Sequence, residues 1–424
     1  MHDLRTLREH PDALRHGMAR RGKLEVFAPS LGRAAALEEE RRLLIQAADE
    51  RKAARNQVTQ DVARLKKAGE DASEPMARSR ALGEEIARLE SELAQAEAAL
   101  GQILMELPNL VLDEVPDGDE THNRVVKEWG TPRTTDDANP HWVIAERLGL
   151  LDLERGAKVS GSGFVAFRGI GARLVRGLMQ YMLDLHTREH GYEEVWVPFA
   201  VTRASMTGTG QLPKFEDDMY ALPNDGLFLI PTAEVPVTNL YRDEILEPTA
   251  VPKALCAYTP CFRREAGAAG KDTRGLLRLH QFDKVELVRY EAPERSRETL
   301  EVLTRHAETV LEQLELPYRR VLLAAGDTGF SSAITFDLEC WSPGTGKWLE
   351  VSSCSLFTDF QARRMNLRYR PGPGEKPRFV HTLNGSGLAF PRTIACLLEH
   401  HRQSDGRVRV PDVLRPYLGT DVLG

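Results

Sequence analysis

The chain has 424 residues, of which 42% are hydrophobic and 28% are charged, and its formal net charge is −7 at pH 7. This length predicts two or three domains, and the composition is typical of a water-soluble protein with a sizeable core. The net negative charge argues against a protein that binds nucleic acid over a generally basic surface, although it allows a local basic face.

Cysteine usage and the amino terminus indicate the cellular compartment. Five cysteines occur without a CxxC pair, which predicts buried free thiols in a reducing environment. The first residues, MHDLRTLREHPDALR, are charged throughout, and no apolar run approaches the roughly 20 residues of a membrane span. We therefore expect a cytoplasmic protein that has no membrane partner.

Residues 31 to about 107 carry the pattern of a coiled coil. Their second half places apolar residues three and four positions apart, at Leu82, Ile86, Leu89, Leu93, Ala96, Leu100, Ile103 and Leu107. A turn-forming segment, KKAGEDASEP, separates this seam from a less regular first half, and Pro75 suits the first turn of a second helix. The pattern predicts an antiparallel helical hairpin, an arm of roughly 45 Å.

The two predicted helices of the arm differ in charge. Residues 41–67 contain eight Lys or Arg and three Asp or Glu, whereas residues 74–106 contain three basic and seven acidic residues. Pairing of charges within the hairpin explains this difference, and so does a basic helix that faces a polyanion. Charge alone favours the first explanation.

After a linker around Pro108 and Pro116, the chain changes to short strands, turns and helices without a βαβ rhythm. We predict a hairpin at 159–169, a helix at 170–190 and a strand interrupted at Pro198. Further alternating strands are expected at 254–265, 279–290, 331–341 and 347–355. Neighbouring strands joined by loops indicate an antiparallel sheet, hence an α+β fold. The expected domains are 1–110, with the arm, and 111–424.

The stretch CFRREAGAAGKDTRGLLRLHQFDKVE, residues 261–286, holds six basic and four acidic residues between two predicted strands. So many charges are costly to bury without partners, so they must face solvent or a charged ligand. Guanidinium groups suit phosphates, and Gly267, Gly270 and Gly275 would let the loop close over a ligand. An exposed hairpin with surface ion pairs is the plainer explanation.

Three more segments offer polar groups at strand or helix ends. Thr232 and Glu234 are two residues apart in LIPTAEVPVTN, and Glu350 and Ser353 supply hard oxygen ligands suited to Mg²⁺ in GKWLEVSSCS. Arg392 falls in the first turn of a predicted helix, where a cation opposes the helix dipole unless an anion binds. Each segment alone is as compatible with a structural role as with a functional one.

Taken together and in this order, these segments resemble the seryl-tRNA synthetases, which are class II aminoacyl-tRNA synthetases. YEEVWVP with Pro198 resembles the first class motif, FRREAGAAGKDTRGLLRLHQFDKVE the second and LNGSGLAFPR the third. PTAE, EVSSCS, FQARRM and VPDVLRPYLG are similar to further signatures of the family. The resemblance covers essentially the whole chain, including the helical arm, and implies a class II catalytic domain.

The resemblance implies that serine reacts with ATP to form seryl-adenylate, which then acylates the 3′ end of tRNA(Ser); it leaves open whether tRNA(Sec) is also a substrate. Arg263 would bridge the α-phosphate and the serine carboxylate, and Arg263 and Arg392 are the catalytic candidates. Phe282 would stack on adenine, and Glu350 and Ser353 would hold Mg²⁺. The implied ATP-binding residues are Arg263, Arg264, Glu265, Arg278, Leu279, Phe282, Glu350, Val351, Ser352, Ser353 and Arg392.

The implied serine subsite discriminates by polar contacts. Glu234 would meet the ammonium group, and Glu286, Asn384 and Ser386 would surround the hydroxyl. A subsite that hydrogen-bonds a hydroxyl rejects an analogue without it by about 10⁴ or more. The implied serine-binding residues are Thr232, Ala233, Glu234, Arg263, Glu286, Asn384 and Ser386.

The resemblance also gives the arm a partner. In this family the hairpin reaches tRNA across a homodimer, which makes Arg51 and Arg55 of the basic helix the expected tRNA-binding residues. Two positions depart from the common family pattern: Arg264 stands where serine is frequent, and Phe390–Pro391 stand where smaller residues are usual. They put the fine shape of the nucleotide site in question.

Two other functions remain open. Some synthetase-like proteins pass the activated amino acid to a carrier protein, but they commonly lack the long hairpin. A non-catalytic coiled-coil scaffold or RNA-binding regulator would have no reason to keep the whole set of phosphate-binding residues that this chain has.

Overall fold

The computed structural model describes residues 1–134, 139–266 and 274–424. These residues form two compact units, Met1–Pro108 and Asn109–Gly424. In the described ranges, no helix has both the length and the apolar character needed to cross a membrane.

The first unit is helical, and its elements are α1 (Leu4–Glu9), α2 (Pro11–Arg20), α3 (Leu24–Ala68) and α4 (Ser73–Glu106). Helix α3 begins before the predicted start at residue 31 and ends at Ala68, because the next residue, Gly69, has a φ of 73° and stops the helix. Ile86, Leu89, Ala96 and Leu100 of the predicted seam are buried. The predicted hairpin of two long helices is confirmed.

Ion pairs between α3 and α4 show that the two helices run antiparallel. Arg41 Nε lies 2.9 Å from Glu97 Oε1, and Arg51 Nε lies 2.7 Å from Glu85 Oε2. Residue numbers therefore increase along α3 in the direction in which they decrease along α4. Part of the charge difference between the helices is therefore matched within the hairpin. These exposed pairs contribute little stability each.

The second unit combines helices with an antiparallel sheet. Its helices are α5 (His141–Arg147), α6 (Leu153–Ser160), α7 (Ile170–Arg188), α8 (Arg203–Thr209), α9 (Glu234–Thr238), α10 (Ser296–Gln313), α11 (Phe360–Met365), α12 (Phe390–His400) and α13 (Arg415–Leu418). Its strands are β1 (Arg124–Trp129), β2 (Leu151–Asp152), β3 (Ala166–Phe167), β4 (Glu193–Glu194), β5 (Ala200–Thr202), β6 (Ala221–Leu222), β7 (Leu227–Leu229), β8 (Ile245–Leu246), β9 (Lys253–Phe262), β10 (Gln281–Glu291), β11 (Tyr318–Leu322), β12 (Ile334–Ser342), β13 (Lys347–Thr358), β14 (Arg368–Tyr369), β15 (Arg378–Phe379), β16 (His381–Ala389), β17 (Val408–Arg409) and β18 (Val422–Leu423).

The central sheet has the order β1-β11-β12-β13-β16-β10-β9-β4 in the described part of the chain. Neighbouring strands in this sheet are antiparallel, except that β4 runs parallel to β9. The predicted strands at 254–265, 279–290, 331–341 and 347–355 correspond to β9, β10, β12 and β13, and the predicted helix at 170–190 corresponds to α7. The α+β class is confirmed.

The predicted hairpin at 159–169 is wrong. Val159 and Ser160 end α6, and Ala166–Phe167 pairs with Leu151–Asp152 on the other side of that helix. The side chain of Asp152 accepts a hydrogen bond from the Arg155 N–H and so starts a helix that the alternating apolar residues do not reveal.

Strands β9 and β10 form the predicted charged hairpin, with Phe262 opposite Gln281. Gly267 and Gly270 lie outside the described residues. Gly275 has a φ of 72°, a backbone conformation that glycine tolerates best.

Helix α10 packs closely against β16 and β13 in the core of this unit. A Cβ atom at Gly385 would lie 2.4 Å from Leu303 Cδ2 and 2.9 Å from Cys354 Sγ. The missing side chain therefore lets α10 approach the strand that carries Asn384 and Ser386.

Candidate active site

A cavity of about 280 Å³ opens over one face of the central sheet. Residues from the β9–β10 hairpin, β13, β16 and the first turn of α12 line it. Most of the predicted site residues meet there: Thr232, Glu234, Arg263, Glu265, Arg278, Leu279, Phe282, Glu286, Glu350, Val351, Ser353, Asn384, Ser386 and Arg392.

One end of the cavity holds a buried chain of polar groups. Lys284 Nζ donates to Thr232 Oγ1 at 2.8 Å, and Thr232 Oγ1 donates to Glu286 Oε2 at 2.9 Å. Lys284 also forms an ion pair with Glu286 directly. Because Lys284 and Glu286 are two residues apart in β10, the alternation of the strand places both on the cavity face.

Glu234 supplies a second carboxyl group at this end, at the start of α9. Gln361 Nε2 donates to Glu234 Oε1 at 2.7 Å, and Gln361 Oε1 accepts from Thr382 Oγ1 at 2.7 Å. Burial raises the pKa of Glu234 to about 7, with repulsion from Glu286 as the next cause, while Gln361 opposes the shift. A cationic ligand next to Glu234 would favour the ionised form of this carboxyl group.

A β-bulge in β16 presents hydroxyl and amide groups to the same end. Val285 pairs with Leu388 and Glu286 pairs with Ser386, which leaves Gly387 as the extra residue. Ser386 thus lies opposite Glu286, and Asn384, two residues earlier, lines the cavity as well. The arrangement offers donors and acceptors on two neighbouring strands.

The middle of the cavity combines a cation with an aromatic ring. Arg263 follows β9, and its guanidinium carbon lies 5.2 Å from the centre of the Phe282 ring. Arg263 Nε donates to the carbonyl of Pro231 at 3.3 Å, next to Thr232. Arg263 therefore lies between the polar end and Phe282, where it can contact groups on both sides.

The outer part of the cavity is lined by arginines and carboxylates. Arg278 Nη1 donates to Glu265 Oε2 at 2.9 Å. Arg392 Nη1 donates to the carbonyl of Glu350 at 2.8 Å and lies 3.7 Å from the Glu350 Oε2. Both arginines are only partly buried, so they can turn toward an anionic ligand.

Glu350 and Ser353 share the cavity face because of a second bulge. Leu338 pairs with Ser352 and Glu339 pairs with Glu350, so Val351 is the extra residue in β13. The result is a carboxylate and a hydroxyl close to two arginines, a hard-oxygen set that fits Mg²⁺ shared with phosphates. No group of three or more His, Cys, Asp or Glu suited to a metal occurs in the described ranges.

Three of the predicted serine- and ATP-binding residues do not line the cavity. Ala233 is fully buried in a neighbouring apolar cluster, and Ser352 donates to the Ser386 carbonyl at 2.7 Å beneath the cavity wall. Arg264 is exposed, and its backbone N–H donates to the carbonyl of Asp218. Its departure from the common family pattern therefore leaves the cavity wall intact. Of the other departure, Phe390–Pro391, Pro391 lines the cavity and Phe390 is buried in the core.

Arg51 and Arg55 belong to the first unit. Both are exposed on α3, and Arg51 pairs with Glu85 of α4.

Sequence reasoning missed Lys284 and Gln361. Lys284 could have been found, because it stands two positions before Glu286 in an alternating strand. Gln361 lies in FQARRM, a segment that the family resemblance singles out, but its contact with Glu234 depends on the packing of α11 against β16, which no local pattern encodes.

Comparison with known proteins identifies the family. The chain matches the family model of the seryl-tRNA synthetase N-terminal domain over residues 1–111 and that of the tRNA synthetase class II core domain (G, H, P, S and T) over residues 214–401. It is 65% identical to a serine–tRNA ligase of Gemmatimonas aurantiaca over 100% of both chains. The chain belongs to the seryl-tRNA synthetase family.

Comparisons with two further members of the family support this assignment. A serine–tRNA ligase of Carboxydothermus hydrogenoformans is 51% identical over 99% of each chain. The crystal structure of the seryl-tRNA synthetase from Pyrococcus horikoshii complexed with ATP superposes with a TM-score of 0.95 at 36% identity and covers 100% of this chain and 99% of its own. As a member of the seryl-tRNA synthetase family, the chain is an aminoacyl-tRNA ligase with a class II core.

Proposed function

We propose that the cavity activates L-serine with ATP and that the enzyme transfers the seryl group to the 3′ end of tRNA(Ser). The observation that carries this proposal is the division of one cavity into a buried polar end, around Glu234 and Glu286, and an outer end with Arg278 and Arg392. Arg263 lies between them. An amino acid and a triphosphate would each meet the chemistry that binds it.

In the first step, an oxygen of the serine carboxylate attacks the α-phosphorus of ATP, and the bond to the β-phosphate oxygen breaks to release pyrophosphate. Arg263 would contact the carboxylate and the α-phosphate and stabilise the charge that develops between them. Arg278 and Arg392 would bind the outer phosphates. Positioning and charge neutralisation are the main requirements of such a transfer.

The nucleotide base would stack on Phe282, with Leu279 at its edge and Glu265 accepting from the adenine amino group. Glu350 and Ser353 would hold Mg²⁺, which supplies charge neutralisation for the phosphates when bound. In the second step, a hydroxyl of the terminal tRNA ribose attacks the carbonyl carbon of the adenylate, and AMP leaves.

The serine subsite would use each polar group differently. Glu234, with Thr232 beside it, would accept from the ammonium group, and Glu286, Asn384 and Ser386 would surround the hydroxyl. Asn384 and Ser386 lie on either side of Gly385, against which α10 packs. Their backbone is therefore held in place by the core. This rigidity supports selection among small side chains.

We further propose that residues 1–110 form a tRNA-binding domain and residues 111–424 the catalytic domain. The basic helix α3 would contact tRNA phosphates, with Arg51 and Arg55 among the contacting residues. Because Arg41 and Glu97 pair at 2.9 Å, a short glycine-containing turn can join them and remove the outer arm. This variant should keep serine-dependent ATP–pyrophosphate exchange and lose tRNA charging.

A homodimer and a cytoplasmic location complete the proposal. Trp196, beside Pro198 of the first class motif, is 72% exposed, which is unusual for a side chain of that size and is consistent with an interface. Trp196→Asp should shift the mass measured by light scattering from dimer to monomer. All five cysteines are buried free thiols, which is consistent with a reducing compartment.

The proposed reaction is tested by exchange of labelled pyrophosphate into ATP with each of the twenty amino acids offered singly. L-Serine should support exchange far better than the others, and total tRNA should then accept the seryl group. Exchange without transfer to tRNA would favour the carrier-protein alternative. Absence of exchange with every amino acid would favour the non-catalytic scaffold.

A further inference from the structure

Lys284 occupies the polar end of the cavity, although the roles proposed above leave it without a task. Its side chain is buried, and its ammonium contacts both the hydroxyl of Thr232 and the carboxylate of Glu286. A buried lysine is rare unless it is paired, and these partners are two of the groups assigned to serine. Lys284 therefore acts on the subsite through its neighbours.

The contacts of Lys284 order the subsite. The Thr232 hydroxyl accepts from Lys284 and must then direct its own proton to Glu286 Oε2. The ion pair with Lys284 also falls on Oε2. The other oxygen of Glu286 is the one we assign to the substrate hydroxyl. One ammonium thus fixes the orientation of two groups.

Charge balance gives Lys284 a second effect. Glu234, Glu286 and Lys284 line this end of the cavity, and a fourth charged side chain, Arg263, lies next to it. If Arg263 meets the carboxylate of an amino acid and Glu234 its ammonium, Lys284 and Glu286 neutralise each other. The place next to Glu286 then suits an uncharged side chain. Without Lys284, Glu286 would be free to bind a second cation.

We infer that Lys284 is a positioning and specificity residue: it orients Thr232 and Glu286 toward a neutral hydroxyl and cancels the charge that would otherwise admit a cationic side chain. This inference rests on the proposed function. The chemical class that Lys284 excludes is the small diamino acids, of which L-2,3-diaminopropionate has the shape of serine with an amino group in place of the hydroxyl.

Lys284 also bears on the ionisation of Glu234. Glu286 and Lys284 face Glu234 from β10, Arg263 from the end of β9 and the uncharged Gln361 from α11. Lys284 and Arg263 both oppose the rise in the pKa of Glu234. Loss of the Lys284 charge should raise this pKa further, so that Glu234 binds the ammonium of serine only at higher pH.

The test compares Lys284→Met and Lys284→Gln with the wild type in pyrophosphate exchange. Both variants should raise KM for serine about 10- to 100-fold, the range for a lost charged hydrogen bond, with KM for ATP nearly unchanged. The preference for serine over L-2,3-diaminopropionate should fall about tenfold or more. The acidic limb of the pH profile of kcat/KM for serine should move up by about one pH unit. Lys284→Arg, which keeps the charge, should leave that limb in place.

Asp283→Asn is the matched control. Asp283 precedes Lys284 in β10, lies on the other face of the sheet and accepts from the Tyr258 hydroxyl at 2.7 Å, so this variant should keep the wild-type KM for serine. Unchanged selectivity in the Lys284 variants, an equal rise in KM for serine and ATP, or failure of both neutral variants to fold would overturn the inference. Absence of serine-dependent exchange in the wild type would instead overturn the proposed function.

Discussion

Glu350 and Ser353 lie on the same face of β13 although they are three residues apart, because Val351 is inserted as a bulge between paired positions. In a regular strand, residues at this spacing would point to opposite faces. The bulge therefore brings a carboxylate and a hydroxyl together beside Arg392, which holds the Glu350 carbonyl at 2.8 Å.

If these two oxygens hold Mg²⁺, Glu350→Gln should weaken ATP binding only when the metal is present. The expected loss is about 10- to 100-fold, because the variant removes one charged ligand and keeps the shape of the side chain. Calorimetry with and without Mg²⁺ measures the difference. A loss of the same size in both conditions would contradict the assignment, and the affinity for serine serves as the internal control.

Phe282 is partly exposed to the cavity and has the Arg263 guanidinium near its ring. Stacking of a base on an aromatic side chain contributes about 1–3 kcal/mol, so Phe282→Ala should raise KM for ATP by roughly 5- to 150-fold. Phe282→Tyr should retain most of the affinity, and KM for serine should change little in both variants. A loss of thermal stability with no change in KM for ATP would make Phe282 a core residue only.

Glu234 should make folding stability depend on pH. Its pKa rises from 4.5 in the unfolded chain to about 7 in the folded one, so the native state binds more protons in this window. Stability from this group is therefore present at low pH and is lost as pH rises through about 7. The free energy of unfolding should fall by about 3 kcal/mol in total from this group.

Glu234→Gln removes this dependence. The free energy of unfolding of the variant, relative to that of the wild type, should increase by about 3 kcal/mol between pH 4 and pH 8, as measured by urea denaturation. The same variant should bind serine weakly, because its amide does not pair with the ammonium group. A difference in stability that is constant with pH would show that Glu234 is not titrating in this window.

Gly385→Ala should destabilise the second unit, because the new methyl group would overlap Leu303 and Cys354. Overpacking of this kind costs about 1–3 kcal/mol, which thermal or urea unfolding can detect. Gly101→Ala provides the contrast, since nothing lies within 4 Å of a Cβ there in helix α4 and alanine favours helices. Equal stability of the two variants would contradict the packing argument.

The sequence predicted the fold well where one local pattern decides the structure. The apolar spacing of the arm and the alternation in β9, β10, β12 and β13 each lead directly to the observed element. The predicted hairpin at 159–169 is wrong, because the side chain of Asp152 caps helix α6, and Val159 and Ser160 end that helix.

The site was predicted from motifs that lie within single segments, and fourteen of the predicted residues line the cavity. What could not be predicted is the support that comes from elsewhere in the chain. The bulges at Val351 and Gly387 depend on pairing between distant strands. Gln361 reaches Glu234 only because α11 packs behind the cavity. Such contacts are set by tertiary packing and leave no periodic signal.

The most direct measurement is a crystal structure with a non-hydrolysable analogue of seryl-adenylate. The serine hydroxyl should lie within hydrogen-bond distance of Glu286 and Ser386, the phosphate oxygens should contact Arg263, and the adenine ring should stack on Phe282. An analogue bound in the reverse direction, with adenine at Glu234, or bound outside this cavity would contradict these assignments.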